Sequence, residues 1–281
     1  MTRALLKSML AGIAALTLGA SVADAGPLMD RIEAGEPIRI GFANEIPFAY
    51  PGDDGSPKGF VNAHALGVLE KMGYTNIEPV QTEWGGLIPG LNAGRFDIVT
   101  GGMNILSSRC ENIAFSEPMA RVGDAFIVAP GNPKNIGSYE SLVENDAVMV
   151  TGAGYSNIEA AKAAGVDESN IMQVPGPTEI LAAVRAGRAD AGGGTYFTVK
   201  QLADSSNGAV EVTDPAAMPE EAINWAGIGF RKDDQDFVDK FNAAQAEYLG
   251  SEEMLAAVAE YGYGEASLPG DRTTEWVCAN R

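Results

Sequence analysis

Arg109 closes a phrase that reads Gly101-Gly102-Met103-Asn104-Ile105-Leu106-Ser107-Ser108-Arg109 and runs on to Ala114-Phe115-Ser116-Glu117-Pro118. A buried-reading strand, Phe96-Asp97-Ile98-Val99, ends at the two glycines. Glycines let main-chain N–H groups approach a ligand closely. The guanidinium adds a planar fork of donors that matches a carboxylate. Open main-chain donors at Gly102 beside Arg109 describe a seat for a small anion. The competing reading is a surface ion pair of Arg109 with Glu111 or Glu117.

Other residues suit the remainder of a small ligand. In Asn44-Glu45-Ile46-Pro47-Phe48, Glu45 can face a cation and Phe48 can cover a flat or cationic surface. Trp84, in Glu83-Trp84-Gly85-Gly86, sits at another strand-to-helix turn and suggests a second wall. Further on, Val150-Thr151-Gly152-Ala153-Gly154-Tyr155-Ser156-Asn157 leads into a helix. Glycines at a helix start expose N–H groups to an anion, while Thr151 and Asn157 offer a hydroxyl and an amide. Thr195, with Tyr196 behind it, completes the set. Each has a plainer alternative: loop packing for Phe48, a solvated carboxylate for Glu45, a core position for Trp84 and N-capping for Asn157. The sole histidine, His64, lies within a helical stretch and reads as packing. No zinc spacing, phosphate loop or nucleophilic triad is present, and Gly192-Gly193-Gly194 lacks the dinucleotide pattern, so neither metal nor cofactor is expected.

These residues need strands that end along one edge. Segments 38–42, 77–80, 96–99 and 125–128 read as strands, and 60–72 as a helix closed by Gly73. A second block repeats the order, with strands at 148–150, 171–174 and 189–191 around helices at 158–164 and 178–186. The blocks end alike, in Leu91-Asn92-Ala93-Gly94-Arg95-Phe96-Asp97-Ile98 and Val184-Arg185-Ala186-Gly187-Arg188-Ala189-Asp190-Ala191. The echo predicts an α/β protein of two lobes, each a mostly parallel sheet flanked by helices. A strand at 225–230 and helices at 233–249 and 252–261 follow. With the chain leaving near Pro130 and returning near Asn224, lobe 1 comprises 26–130 plus 224–281 and lobe 2 comprises 131–223. Two crossings make a hinge, and the cleft between the lobes is the expected ligand site.

The N-terminal segment has Arg3 and Lys7, an apolar stretch at 9–22 and the small residues Ala23-Asp24-Ala25. That order predicts a cleavable signal peptide at 1–25 and an exported protein without a membrane anchor. Cleavage removes two positive charges and one negative one, so the formal charge of −19 becomes −20 over about 256 residues. So acidic a surface argues against nucleic acid and anionic membranes as partners. Cys110 and Cys278 are expected to pair in an oxidising compartment, pinning the C-terminal tail to the lobe carrying Arg109. Two buried free thiols are the alternative.

Most of the chain after residue 25 resembles the type II periplasmic binding proteins of ABC importers, in their amino-acid-binding branch. Within that branch it looks most like the ectoine/hydroxyectoine binders. The resemblance rests on Gly41-Phe42-Ala43-Asn44-Glu45-Ile46-Pro47-Phe48, Leu87-Ile88-Pro89-Gly90-Leu91, Gly94-Arg95-Phe96-Asp97-Ile98, Arg109-Cys110-Glu111, Gly131-Asn132-Pro133-Lys134-Asn135 and the late cysteine. It implies a monomeric, non-enzymatic periplasmic receptor that captures a zwitterion by lobe closure and delivers it to permease subunits. It also implies that Arg109 meets the ligand carboxylate, while Glu45 lies near a cationic amidine ring among aromatic side chains. Amino-acid binders carry an aspartate for the α-ammonium where this chain has Thr195, which favours a delocalised cation. Asn104 stands where ectoine binders place a third aromatic, with Tyr155 or Tyr196 as candidates for the missing face. Leu106 also departs from the usual hydroxyl residue. A polar amino acid or a betaine is the alternative cargo. An enzyme resembling cyclohexadienyl dehydratases, which share the fold, would need a placed acid or base, for which Glu45 is the candidate.

Overall fold

The computed structural model describes residues 27–281, so the expected signal peptide at 1–25 lies outside the described residues. In chain order the elements that position the site begin with β1 (Ile38–Phe42), α1 (Phe60–Lys71), β2 (Ile77–Gln81), β3 (Ile98–Asn104) and β4 (Ala120–Val128). Next come α2 (Tyr139–Glu144), β5 (Met149–Gly152), α3 (Ser156–Ala163), β6 (Ile171–Val174), β7 (Ala191–Thr195) and α4 (Tyr196–Ser205). The chain returns through β8 (Ile223–Phe230), α5 (Gln235–Tyr248) and α6 (Thr274–Asn280).

The strands hydrogen-bond in the order β2-β1-β3-β8-β4-β7-β5-β6. β1 runs parallel to β2 and β3, and β5 runs parallel to β6 and β7. The two halves meet at the antiparallel pair β4 and β8. Residues 120–123 of β4 pair with β8, whereas 124–128 pair with β7. One strand thus begins in one lobe and ends in the other. Both faces of the parallel strands are covered, which is why β3 is buried throughout and reads as a continuous apolar and glycine run.

Helix α5 turns Phe237, Val238, Phe241, Gln245 and Tyr248 inward, the spacing of an amphipathic helix. His64 of α1 is fully buried beside it, with Nε2 3.0 Å from Gln245 Oε1. Burial lowers its pKa to about 4. It is a packing residue, as its place in the sequence suggests.

Several strands run past their predicted bounds: β4 begins at Ala120 rather than 125 and β8 at Ile223 rather than 225, and two more differ at their glycines. β3 starts at Ile98 and continues through Gly101 and Gly102 to Asn104, so the glycines lie inside the strand. Just before it, Asp97 N–H still donates to Arg39 O at 2.8 Å, while its carboxylate pairs with the guanidinium groups of Arg31, Arg39 and Arg231. β7 is Ala191–Thr195, beyond the predicted 189–191. Its central glycines make room for neighbours: a Cβ on Gly192 would fall 2.7 Å from side-chain atoms of both Ile127 and Ile180. The helix α6 has no counterpart in the predicted elements. It carries Cys278, which is bonded to Cys110 with their Cα atoms 5.9 Å apart. Ser107 N–H donates to Arg281 O at 2.7 Å in the same junction. Among the described residues no helix is long and apolar enough to cross a membrane, and no cluster of His, Cys, Asp and Glu could hold a metal.

The disulfide spans 168 positions. Loop entropy for that span gives about 5 kcal/mol at most. Guanidinium unfolding of the Cys110→Ser, Cys278→Ser double variant is therefore expected to show a stability loss of that order or less. No loss would mean that the tail is held by its noncovalent contacts.

Candidate functional site

The C-terminal ends of β1, β2, β3, β5 and β7 and the segments that follow them enclose a cavity between the lobes. Its lining includes Glu45, Phe48, Trp84, Gly101, Gly102, Asn104, Tyr155, Ser156, Asn157, Thr195 and Thr198. The space between those atoms is about 350 Å³, part of it open to solvent. Seven expected residues come together here: Glu45, Phe48, Trp84, Gly102, Asn104, Asn157 and Thr195.

Glu45 lies in a loop tied back on itself, its N–H donating to Ala49 O at 2.8 Å. Its carboxyl is 4% exposed and accepts from the hydroxyl of Tyr155 in the other lobe. Burial pushes its pKa up to about 8, opposed by the Tyr155 hydrogen bond and assisted by Glu83. Phe48 packs on Phe60 at 4.7 Å between centroids and stands edge-on to Phe197 at 5.9 Å. Gly102, at φ +72°, leaves the space that its ring needs: a Cβ there would sit 2.4 Å from Phe48 Cδ1. Phe48 therefore serves both as loop packing and as a cavity wall.

Trp84 bridges the lobes. Its Nε1 donates to Gly154 O at 3.2 Å, and its ring meets Tyr155 edge-on at 5.3 Å. Of the two candidate faces Tyr155 lines the cavity and Tyr196 does not. At the end of β3, Asn104 Nδ2 donates to Ser156 Oγ at 2.9 Å, whereas Asn104 Oδ1 is buried without a partner. Asn157 starts α3, and its Nδ2 donates to Tyr139 OH at 2.7 Å. Thr195 caps α4 through Thr198 N–H.

Arg109 and Thr151 stand outside the lining. Thr151 Oγ1 donates to Gly193 O at 3.0 Å within the lobe 2 sheet. Arg109 is 7% exposed; Nη1 donates to Asn104 O at 2.7 Å and Nη2 to Gly154 O at 2.9 Å. Its guanidinium lies 5.9 Å from the Trp84 ring centre. Burial lowers its pKa to about 10, Glu159 opposing, so it remains charged at neutral pH. The surface ion pair with Glu111 or Glu117 does not form: its partners are carbonyls, one from each lobe. Thus Arg109 clasps the two lobes together next to the cavity.

Ser156 and Thr198 line the cavity without having been singled out as ligand contacts, whereas Tyr155 was a candidate aromatic face. Ser156 adjoins Asn157 in the same phrase, and Thr198 lies one helical turn beyond Thr195, so spacing from chosen residues is the signal that finds them.

A two-lobed α/β fold with a polar, aromatic-walled cavity at the strand ends defines a small-solute binding protein. The comparisons agree. Residues 38–264 match the bacterial extracellular solute-binding proteins, family 3, and the chain belongs to that family. It is 36% identical over 276 residues to a probable amino-acid ABC transporter periplasmic-binding protein of Sinorhizobium fredii, covering 95% of this chain and 91% of the other. It is 27% identical to the L-cystine-binding protein of Escherichia coli, over 89% of this chain and 92% of the other. The structure of EhuB in complex with hydroxyectoine superposes with a TM-score of 0.82 at 30% identity, covering 91% of this chain and 98% of that one.

Glu45 makes a testable contribution to stability. The folded protein holds its proton up to about pH 8, whereas an unperturbed carboxyl loses it near 4.5. The stability so gained is complete below the unfolded pKa and is lost as pH rises through the folded one. In urea unfolding of the ligand-free protein between pH 5 and 8, Glu45→Gln should lose less stability than wild type, by about 2–5 kcal/mol. Parallel pH profiles would show that Glu45 is ionised and hydrated in solution.

Proposed function

We propose that this protein is the periplasmic receptor of an ABC importer and that its cargo is ectoine or hydroxyectoine. The observation that carries the proposal is Glu45, buried at the cavity with Phe48, Trp84 and Tyr155 on the same lining. A carboxyl among three aromatic rings suits a flat, delocalised cation, for which each ring face is worth about 0.5–2 kcal/mol. Thr195, in place of an acidic residue, deprives a primary ammonium of a partner in the second lobe. Arg109 is the proposed carboxylate partner, a buried guanidinium whose neighbours here are neutral carbonyls. The complex between EhuB and hydroxyectoine supports the reading by likeness.

In this reading the signal peptide at 1–25 directs export, and β4 and β8 form the hinge between lobe 1 (26–130 plus 224–281) and lobe 2 (131–223). Tyr155 to Glu45, Asn104 to Ser156 and Arg109 to Gly154 are contacts of the closed form. Ligand contacts across both lobes would favour closure over opening. Permease subunits would receive the closed receptor; no catalytic step, metal or cofactor is involved.

A polar amino acid is the second reading, favoured by one feature. The free acceptor Asn104 Oδ1, near Glu45 on the same lining, would suit an ammonium. Calorimetric titration of unfolded-and-refolded protein with ectoine, hydroxyectoine, glycine betaine and amino acids separates the cargos. Ectoine or hydroxyectoine should bind at micromolar concentration or below, about −8 kcal/mol. Binding should release up to about one proton near pH 7, read from the dependence on buffer ionisation enthalpy, because the cation ionises Glu45. An amino acid binding where both ectoines are silent would replace the proposed cargo.

Substitutions test the residue roles. Arg109→Ala should cost about 2–5 kcal/mol of binding. Trp84→Ala should cost more than Trp84→Phe, with the difference on the order of 1 kcal/mol. Unchanged affinity in Arg109→Ala would leave the arginine as a lobe clasp alone, and equal losses at Trp84 would remove its ring from the cation's surroundings.

A further inference from the structure

Asp124 lies where β4 changes partners: Gly123 pairs with Ile223 of β8, and Asp124 stands opposite Thr195 of β7. Its carboxyl is 1% exposed, and no ion pair reaches it among the described residues. The groups facing it are uncharged, and the Asn157 amide is among them, close enough to act on the carboxyl as well as on Tyr139. Tyr139 OH, from α2, donates to Oδ2 at 2.8 Å; Asn224 Nδ2, from β8, donates to Oδ1 at 3.4 Å; Thr195 lies across the ladder. Tyr139 OH in turn accepts from Asn157 Nδ2 at 2.7 Å. Asp124, Tyr139 and Asn157 are all buried, and of the three only Asn157 lines the cavity.

The direction of these bonds follows from donor and acceptor capacity. An ionised carboxylate accepts and cannot donate, so the Tyr139 hydroxyl must give its proton to Asp124. Its oxygen is then an acceptor, and the Asn157 group turned toward it must be the NH₂. The amide carbonyl is left for the opposite side. We infer that Asp124 is a positioning residue of the binding cavity: through Tyr139 it holds Asn157 with its carbonyl oxygen toward the ligand. This rests on the cavity being the solute site, and it selects solutes that present an O–H or N–H donor to that wall.

Protonation reverses the relay. A proton on Oδ2 makes Asp124 the donor to Tyr139, whose own hydroxyl proton then points at Asn157. The amide turns over and presents its NH₂ to the cavity. Burial pushes Asp124 up to about 7, and the hydrogen bonds of Tyr139 and Asn157 pull the other way. The reversal therefore falls near neutral pH.

Two measurements test the relay. The first uses ligand-free, nitrogen-15-labelled protein and needs no cargo. The Asn157 side-chain amide signal, assigned by its loss in Asn157→Ala, should titrate with a midpoint near pH 7 in wild type. It should be unresponsive in Asp124→Asn and in Tyr139→Phe, the second serving if the first does not fold. An amide that ignores pH in wild type overturns the inference. The second uses ectoine, or whichever solute of the panel binds. At pH 8, Asp124→Asn should weaken binding about tenfold, and the loss should vanish when Asn157 is already Ala. A loss that persists in the Asn157→Ala background overturns the relay, because a damaged hinge would behave that way. Silence of every solute with the amide titration intact would overturn the assigned cargo and leave the relay standing.

Discussion

Two ionisable groups withdrawn from water and left without an opposite charge set the terms for the rest of this molecule. Glu45 has a tyrosine hydroxyl for a partner, and Arg109 has two backbone carbonyls. Burial of an uncompensated charge is costly, and hydrogen bonds offset only part of that cost. The pKa shifts express the deficit: the carboxyl is driven toward its neutral form and the guanidinium binds its proton less tightly. Glu45 sits on the loop after β1 and Arg109 on a helical turn after β3, and both reach across to the other lobe. Burial of both groups therefore depends on the contact between the lobes. A zwitterion would correct both deficits at once.

The architecture distributes this event along a single sheet. β4 pairs with β8 over its first residues and with β7 over its last. A change in the angle between lobes must be absorbed close to Gly123 and Asp124, where the ladder changes hands. The cavity-lining Thr195 is directly across the ladder from that point. The strand switch and the cavity wall are thus neighbours, separated by one strand spacing, although the helices that close the cavity come from distant parts of the chain.

Much of the fold could be read from local pattern. The helix-glycine-arginine-strand phrases at 91–98 and 184–191 announced two related lobes, and the strands at 38–42 and 171–174 lie where their apolar runs placed them. Glycine misled at β3 and β7. It reads as a strand end by propensity, yet here it makes room for Phe48, Ile127 and Ile180. Loop positions of Glu45, Phe48 and Trp84 were legible because parallel strands present those turns to the cleft. The places of Arg109 and Thr151 were not, since each is decided by a carbonyl far away in sequence, Gly154 and Gly193. Tyr155 was visible as a candidate face, but its bond to Glu45 exists only across the closed cleft. The Asp124 relay was likewise invisible, being assembled from three elements with no common motif.

The bond between Cys110 and Cys278 has a consequence in time as well as in space. The helical turn bearing Arg109 adjoins Cys110, whose partner follows 168 positions later. A chain made from its N-terminus thus translates the arginine, both lobes and the returning strand before the staple for that turn exists. Both crossings between the lobes are complete before the segment beside the clasp is secured. Final fastening of the arginine turn is an oxidation step, so the order of synthesis and the redox state of the surroundings together set when the receptor acquires its finished grip.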